Sequence, residues 1–194
     1  MVSPGFGFLV ALLLVLIVTW IFVRSRPSTV DRLFRRLQFV SASLYSLGHG
    51  GNDAQKTMGI IAVLLYAHAG RHGAFTVPLW VVLSCQAAMA LGTLFGGWRI
   101  VHTMGSKITR LSPMQGFCAE SAGAITLFTA TYLGVPVSTT HTITGAIIGV
   151  GAARRTSAVR WGVARSIVVA WIITMPLAGL IAAGLYMISG PVFP

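Results

Sequence analysis

Long uncharged runs separated by short basic gaps dominate this chain. Gly5 to Val23, Val77 to Trp98 and Ser166 to Ile188 contain no charged residue. Leu37 to Gly70 is uncharged except for Asp53 and Lys56 at its middle, and Ser121 to Ala153 carries no charge at all. A helix needs roughly 20 apolar residues to cross a hydrocarbon core about 30 Å thick, and each run reaches that length. As one straight helix, the run from Ser121 to Ala153 would extend roughly 50 Å at about 1.5 Å per residue, so it must turn, and Gly134 and Pro136 supply the break. The pattern therefore predicts an all-α, polytopic membrane protein with about five to six transmembrane or re-entrant helical segments. Its parts are a first transmembrane helix over 1–23, a basic linker over 24–38 and a larger region over 39–190. Within that region the pattern predicts a broken helix over 39–68, a helix over 77–99, a helical hairpin or helix pair over 117–153 and a helix over 161–189.

Composition agrees with an embedded chain. Of the 194 residues 55% are hydrophobic and 9% are charged, too apolar a balance for an ordinary soluble domain. Fourteen Lys and Arg face three acids, Asp31, Asp53 and Glu120, for a formal charge of +11. Such an excess would suit a nucleic-acid partner if it formed one basic face. Instead the basic residues sit in the gaps, so they record topology, and no nucleic acid is expected. No basic residue precedes the first run and five follow it (Arg24, Arg26, Arg32, Arg35, Arg36), which is the wrong polarity for an export leader and puts the N-terminus outside. Carried forward, that orientation places Arg99, Lys107 and Arg110, then Arg154, Arg155, Arg160 and Arg165, on the cytoplasmic side with the first five. Arg71 falls outside and Lys56 within the membrane, so 12 of the 14 basic residues mark one side. Segment 117–153 fits this count either as two full spans or as a hairpin dipping in from the cytoplasm.

Several polar residues need no chemistry. Cys85 and Cys118 read as small core residues, because two cysteines without a spacing motif define neither a metal site nor a disulfide framework. His68 and His72 read as interfacial, Trp80, Trp98, Trp161 and Trp171 as belt aromatics, and Arg24 to Gln38 as a cytoplasmic surface helix near anionic lipid.

Ionisable groups at membrane depth are costly and mark candidate sites. The first cluster is Gly48-His49-Gly50-Gly51-Asn52-Asp53-Ala54-Gln55-Lys56-Thr57. Three glycines in four positions predict a break in the helix, with Asn52 or Asp53 capping the segment that restarts. Freed carbonyls, the Asp53 carboxylate and the Asn52 amide oxygen are hard oxygen ligands suited to a cation or a proton. The competing reading is an Asp53–Lys56 ion pair that only neutralises itself. The second cluster, Ser138-Thr139-Thr140-His141-Thr142 after Pro136, has the features of a helix start. Unpaired N–H groups and hydroxyls there can replace the hydration of an oxyanion such as phosphate. Glu120, the remaining intramembrane acid, could gate, relay protons or pair with Lys107 or Arg110.

At these two clusters the sequence resembles the PiT family of inorganic phosphate transporters, in its bacterial low-affinity branch. The likeness is carried by the run Gly48 to Ile61, with a Gly-x-Asn-Asp signature, and by Pro136-Val137-Ser138-Thr139-Thr140-His141-Thr142-Ile143-Thr144-Gly145, and it extends over most of 35–190. It implies that Ser138, Thr139, Thr140 and Asn52 bind phosphate, and that Asp53 and Asn52 take a coupling cation or proton. Gly51, Gln55, Lys56, Thr57, His141 and Glu120 support them. It further implies symport of phosphate, free or as a metal complex, with H+ or Na+ across a bacterial inner membrane, and no other cofactor. Family members carry two copies of each motif in inverted halves. This chain has one of each and looks like the C-terminal half, so a complementary N-terminal half or another subunit is expected. The alternative is a non-transporting subunit or truncated remnant. A third reading, an intramembrane hydrolase using Ser138, His141 and Asp53, lacks any Gly-x-Ser-x-Gly pattern around Ser138.

Overall fold

The computed structural model describes residues 2–68, 75–98 and 102–189. The helices are α1 (Val2–Ile21), α2 (Pro27–His68), α3 (Leu79–Gly96), α4 (Pro113–Tyr132), α5 (Thr139–Arg154) and α6 (Trp161–Ser189), with a π-helical turn at Thr103–Lys107 and a 3-10 turn at Thr156–Ala158. No strand occurs among the described residues. The predicted all-α class is what the chain adopts. Three helices, Val2–Ile21, Leu79–Gly96 and Trp161–Met187, are long and apolar enough to cross a membrane. The chain forms two compact units, Met1–Val159 and Arg160–Pro194. The second consists of α6, which carries Pro176 within it.

In the first unit α1 lies along α5. Cβ atoms built on Gly145 and Gly149 would overlap the backbone carbonyls of Pro4 and Phe8, and one on Gly7 would stand 2.7 Å from the Thr142 carbonyl oxygen. Glycines four apart on one face of α5 thus bring two backbones into direct contact, as small residues do between membrane helices. Near the start of α2, Phe34 is buried with its ring edge-on to Phe22 at 5.4 Å and to Phe117 at 5.2 Å.

Helix α2 differs most from expectation. It begins with Pro27 at its first position, where a missing N–H costs nothing, and runs 42 residues without interruption, about 63 Å at 1.5 Å per residue. The basic stretch over 24–38, read as a surface helix, is helical from Pro27 onward but runs straight into 39–68, where the predicted break does not occur. Its glycines serve packing instead. Gly134 is the one positive-φ residue among those described, so Gly48, Gly50 and Gly51 use no conformation that other residues avoid. A Cβ on Gly48 would come to 3.3 Å from Leu127 Cβ, so this glycine lets α4 close on α2. Phe34, Ser41 and Gly48 recur every seven residues on the buried face, and beyond them Ala54, Met58 and Ala62 form a second buried stripe. Ala54 and Met58 of that stripe pack with Val81 and Cys85 of α3.

Helices α4 and α5 form the hairpin. Ser112 caps α4 through a capping box: its Oγ accepts from the Gln115 N–H at 3.4 Å, and its own N–H donates to Gln115 Oε1 at 3.0 Å. This starts the helix four residues ahead of the predicted 117. At the other end Gly134 takes φ +66°, with the Gly134 N–H on the Thr131 carbonyl at 3.1 Å and the Val135 N–H on the Ala130 carbonyl at 2.9 Å. That pairing is a Schellman motif, which glycine permits and Pro136 then seals. The predicted turn at Gly134 and Pro136 is therefore present. Cys85 and Cys118 are buried free thiols. His72, Arg71 and Arg99 lie outside the described residues.

Candidate functional site

A continuous α2 sets Tyr45, His49, Asn52, Asp53 and Lys56 at intervals of three and four residues, on one face of the helix. The turn between α4 and α5 meets that face. Thr139 Oγ1 donates to Asp53 Oδ2 at 2.8 Å, and His49 Nε2 lies 3.1 Å from the same oxygen. Lys56 Nζ lies 2.9 Å from Asp53 Oδ1 and donates to the Val137 carbonyl at 2.5 Å. Asn52 Nδ2 donates to Thr131 Oγ1 at 3.3 Å, and the Tyr45 hydroxyl donates to the Thr139 carbonyl at 3.4 Å. Two predicted clusters, 81 or more residues apart for the Lys56–Val137 and Asp53–Thr139 pairs, are thus one site.

The break was expected to free carbonyl ligands and to let Asn52 or Asp53 cap a restarting helix. Neither occurs, because the helix runs through. Asp53 instead works by its side chain alone, 24% exposed, with both oxygens engaged. The Asp53–Lys56 pair weighed against a cation site is present at i, i+3. Asn52 is buried at 4% exposure, and its Oδ1 has no partner among the described residues. An orphaned buried acceptor costs about 1–3 kcal/mol and asks for a ligand, an ion or a water.

The hydroxyl cluster divides its labour. Ser138 is the N-cap of α5, its Oγ accepting from the His141 N–H at 3.4 Å. Thr139 and Thr140 follow as the first two helical residues, positions whose N–H groups a helix leaves without an internal acceptor. Thr139 is buried against Asp53, while Thr140 is exposed to a cavity of about 920 Å³ between α2, α3 and the first turn of α5. His49 and Thr57 also line it, among mostly apolar walls. Thr142 and Thr144 turn their hydroxyls back onto the carbonyls of Ser138 and Thr140, at 2.9 and 2.7 Å. Gly51 is a helical residue with open space beside it, and Gln55 is exposed.

Glu120 is held elsewhere. Its carboxylate accepts from Ser41 Oγ at 2.6 Å and Gln38 Nε2 at 3.5 Å, and no ion pair to Lys107 or Arg110 forms among the described residues. Ser41 lies 12 residues before Asp53, about 18 Å along the helix axis, so Glu120 is anchored away from Asp53 and one turn from Tyr45 at the near edge of the cluster. Tyr45 and Thr131 had escaped notice. Tyr45 stands eight residues before Asp53, on the same face once α2 is continuous, and Thr131 is a polar residue one turn before the glycine of the hairpin.

These features define a helical membrane protein whose site lies where a hairpin turn meets the middle of a long helix. The Phosphate transporter family model matches residues 23–182, and the chain belongs to that family. The chain is 77% identical over 184 residues to a probable low-affinity inorganic phosphate transporter of Rhizobium meliloti (strain 1021), covering 95% of this chain and 55% of that one. To its namesake in Bacillus subtilis (strain 168) it is 42% identical over 191 residues, covering 98% and 57%. A solved structure described as the sodium-dependent phosphate transporter superposes with a TM-score of 0.77 at 30% identity, covering 91% of this chain and 46% of that one. The chain therefore spans about half the length of the relatives it matches. The relatives named here are described as phosphate transporters.

Proposed function

We propose that this chain carries half of a path for inorganic phosphate, moved together with H+ or Na+ across a bacterial cytoplasmic membrane. In this reading the N-terminus of α1 lies outside, and a second half completes the site. The observation that carries it is the delivery of Thr139, in the first turn of α5, to the Asp53 carboxylate at 2.8 Å. That contact fixes a helix N-terminus beside the middle of α2. N–H groups of Thr139 and Thr140, with the Thr140 hydroxyl, then supply donors to a phosphate whose water has been stripped. The orphaned Asn52 Oδ1 supplies an acceptor, which suits an O–H of monobasic phosphate or a cation. Ser138 contributes by capping α5 and so holding those N–H groups in place. Asp53 is the cation or proton position, Lys56 balances its charge, and His49 lies within hydrogen-bond reach of its second oxygen.

Helix α2 also supports the re-entrant form of the hairpin. From Lys56 to His68 it continues 12 residues, about 18 Å, beyond the level at which the hairpin turns back. A turn that stops short of its neighbour's end leaves irregular backbone at membrane depth, tolerated where it lines a cavity.

Labelled phosphate uptake into liposomes tests the proposal, using the chain alone and the chain with the first half of a full-length relative, under an inward proton or sodium gradient. Uptake is expected with the partner half, and Thr139→Val should lower it about tenfold, the effect of losing roughly 1.4 kcal/mol of interaction. No uptake in either arrangement would refute it.

A further inference from the structure

Lys56 is the one basic residue that the charge pattern leaves inside an apolar run, and its position is specific. Its Nζ touches two oxygens of different origin, Asp53 Oδ1 at 2.9 Å and the Val137 carbonyl at 2.5 Å. Val137 precedes the Ser138 cap of α5 and follows the end of α4, so its carbonyl lies in the turn, outside both helices. A carboxylate oxygen from one element and a loop carbonyl from another are what a small cation gathers when it sheds water inside a protein. Here the ammonium gathers them. The remaining carboxylate oxygen is taken as well, by Thr139 Oγ1 at 2.8 Å and His49 Nε2 at 3.1 Å. A metal ion bound to Oδ1 and to the Val137 carbonyl would have to expel Lys56 from both.

The geometry points to Lys56 as a built-in replacement for a sodium ion: its ammonium fills the cation position between Asp53 and the hairpin turn, so this chain takes no sodium there. The inference deepens the proposed function and rests on it, for it assigns the Asp53 position a resident cation. A sodium requirement of the assembled transporter must then arise at some other position. Three residues of spacing achieve this, because Asp53 and Lys56 share a face of α2 while the lysine stem is long enough to reach the turn.

Sodium binding in phosphate-free buffer tests it, with purified chain in detergent and radioactive sodium read by scintillation proximity. Wild type should bind no more sodium than Asp53→Asn. Lys56→Ala and Lys56→Gln should each gain saturable binding, about tenfold over wild type at low millimolar sodium, and lose it again when Asp53→Asn is added. Lys56→Gln keeps a donor toward Val137, so it serves where Lys56→Ala does not fold, and helix content by circular dichroism tells the two cases apart. Saturable sodium binding by wild type that Asp53→Asn abolishes overturns the inference, and that comparison needs no Lys56 variant. Folded Lys56 variants that remain blind to sodium overturn it too. Labelled phosphate binding is measured in separate wells on the chain combined with the first half of a full-length relative: its absence counts against the proposed function and leaves the sodium result readable.

Discussion

Replacing Gly51 by alanine tests whether α2 is continuous through the site, because a continuous and a broken helix predict opposite signs. In the structure Gly51 is an ordinary helical residue, and a Cβ built there meets nothing within 4 Å. Alanine would therefore meet no steric resistance and would remove the entropic cost of glycine in a helix interior, about 0.5–1 kcal/mol. For a chain of this size that raises the thermal midpoint by roughly 1–4 °C. Gly50→Ala should behave alike, its nearest atom being Gln86 Oε1 at 3.9 Å. Gly48→Ala should lower the midpoint instead, because Leu127 Cβ stands 3.3 Å from the new methyl. All three are read in one detergent series by loss of helical circular dichroism at a fixed scan rate. If both Gly50→Ala and Gly51→Ala lowered the midpoint by more than about 2 °C, the chain would be using a glycine-only conformation there, and the continuous helix would be refuted.

Other substitutions probe the packing and the site. Gly145→Ala should destabilise by about 1–3 kcal/mol or more in denaturant titration, since the methyl meets the Pro4 carbonyl, a backbone atom that cannot swing aside. Gly134→Ala has open space but must hold φ +66°, so it should cost about 1–2 kcal/mol, and a neutral result would disprove the Schellman turn. Thr139→Val keeps the shape and loses the donor to Asp53, worth about 1.5–3 kcal/mol for a bond to a charged group. It should weaken phosphate binding along with stability, and unchanged phosphate affinity would separate Thr139 from the ligand. Ser41→Ala removes the 2.6 Å donor to Glu120 and should cost about 1–3 kcal/mol in denaturant titration while leaving phosphate binding within about twofold.

Helices α1, α3 and α6 were legible because apolar length alone decides such elements, and the hairpin was legible because Gly134 and Pro136 are strong punctuation. The pairing of Asp53 with the Ser138 to Thr140 segment was legible only through the family resemblance, since no periodicity links residues 86 apart. The break at Gly48 to Gly51 was misjudged for a physical reason. Glycine has two uses, an unusual backbone angle and close helix contact, and one sequence does not say which is in play. Gly134 serves the first use and Gly48 the second. The same ambiguity hid Tyr45, which joins the site only if the helix is unbroken. For Glu120, Lys107 and Arg110 are near in sequence, but its partners Ser41 and Gln38 lie across the α2–α4 contact, and helix spacing alone does not tell which turns of two helices meet.

The continuity of α2 also changes where motion at the site must occur. A broken helix would let Asp53 move with its own segment, whereas a helix packed on α4 before Gly48 and on α3 after Ala54 holds Asn52, Asp53 and Lys56 as one rigid row. Three bonds join the turn and the first residue of α5 to α2, Thr139 to Asp53, Lys56 to Val137 and Tyr45 to Thr139, while Asn52 holds Thr131 near the end of α4. Displacing the turn breaks the three together, and two involve a charged group, each worth about 1.5–3 kcal/mol. Under the proposed function, a phosphate that shifted the turn would have to offset those bonds with its own, at the N–H groups of Thr139 and Thr140. Lys56 Nζ bridges Asp53 and the Val137 carbonyl, so any displacement of the turn must also break a bond to the ammonium.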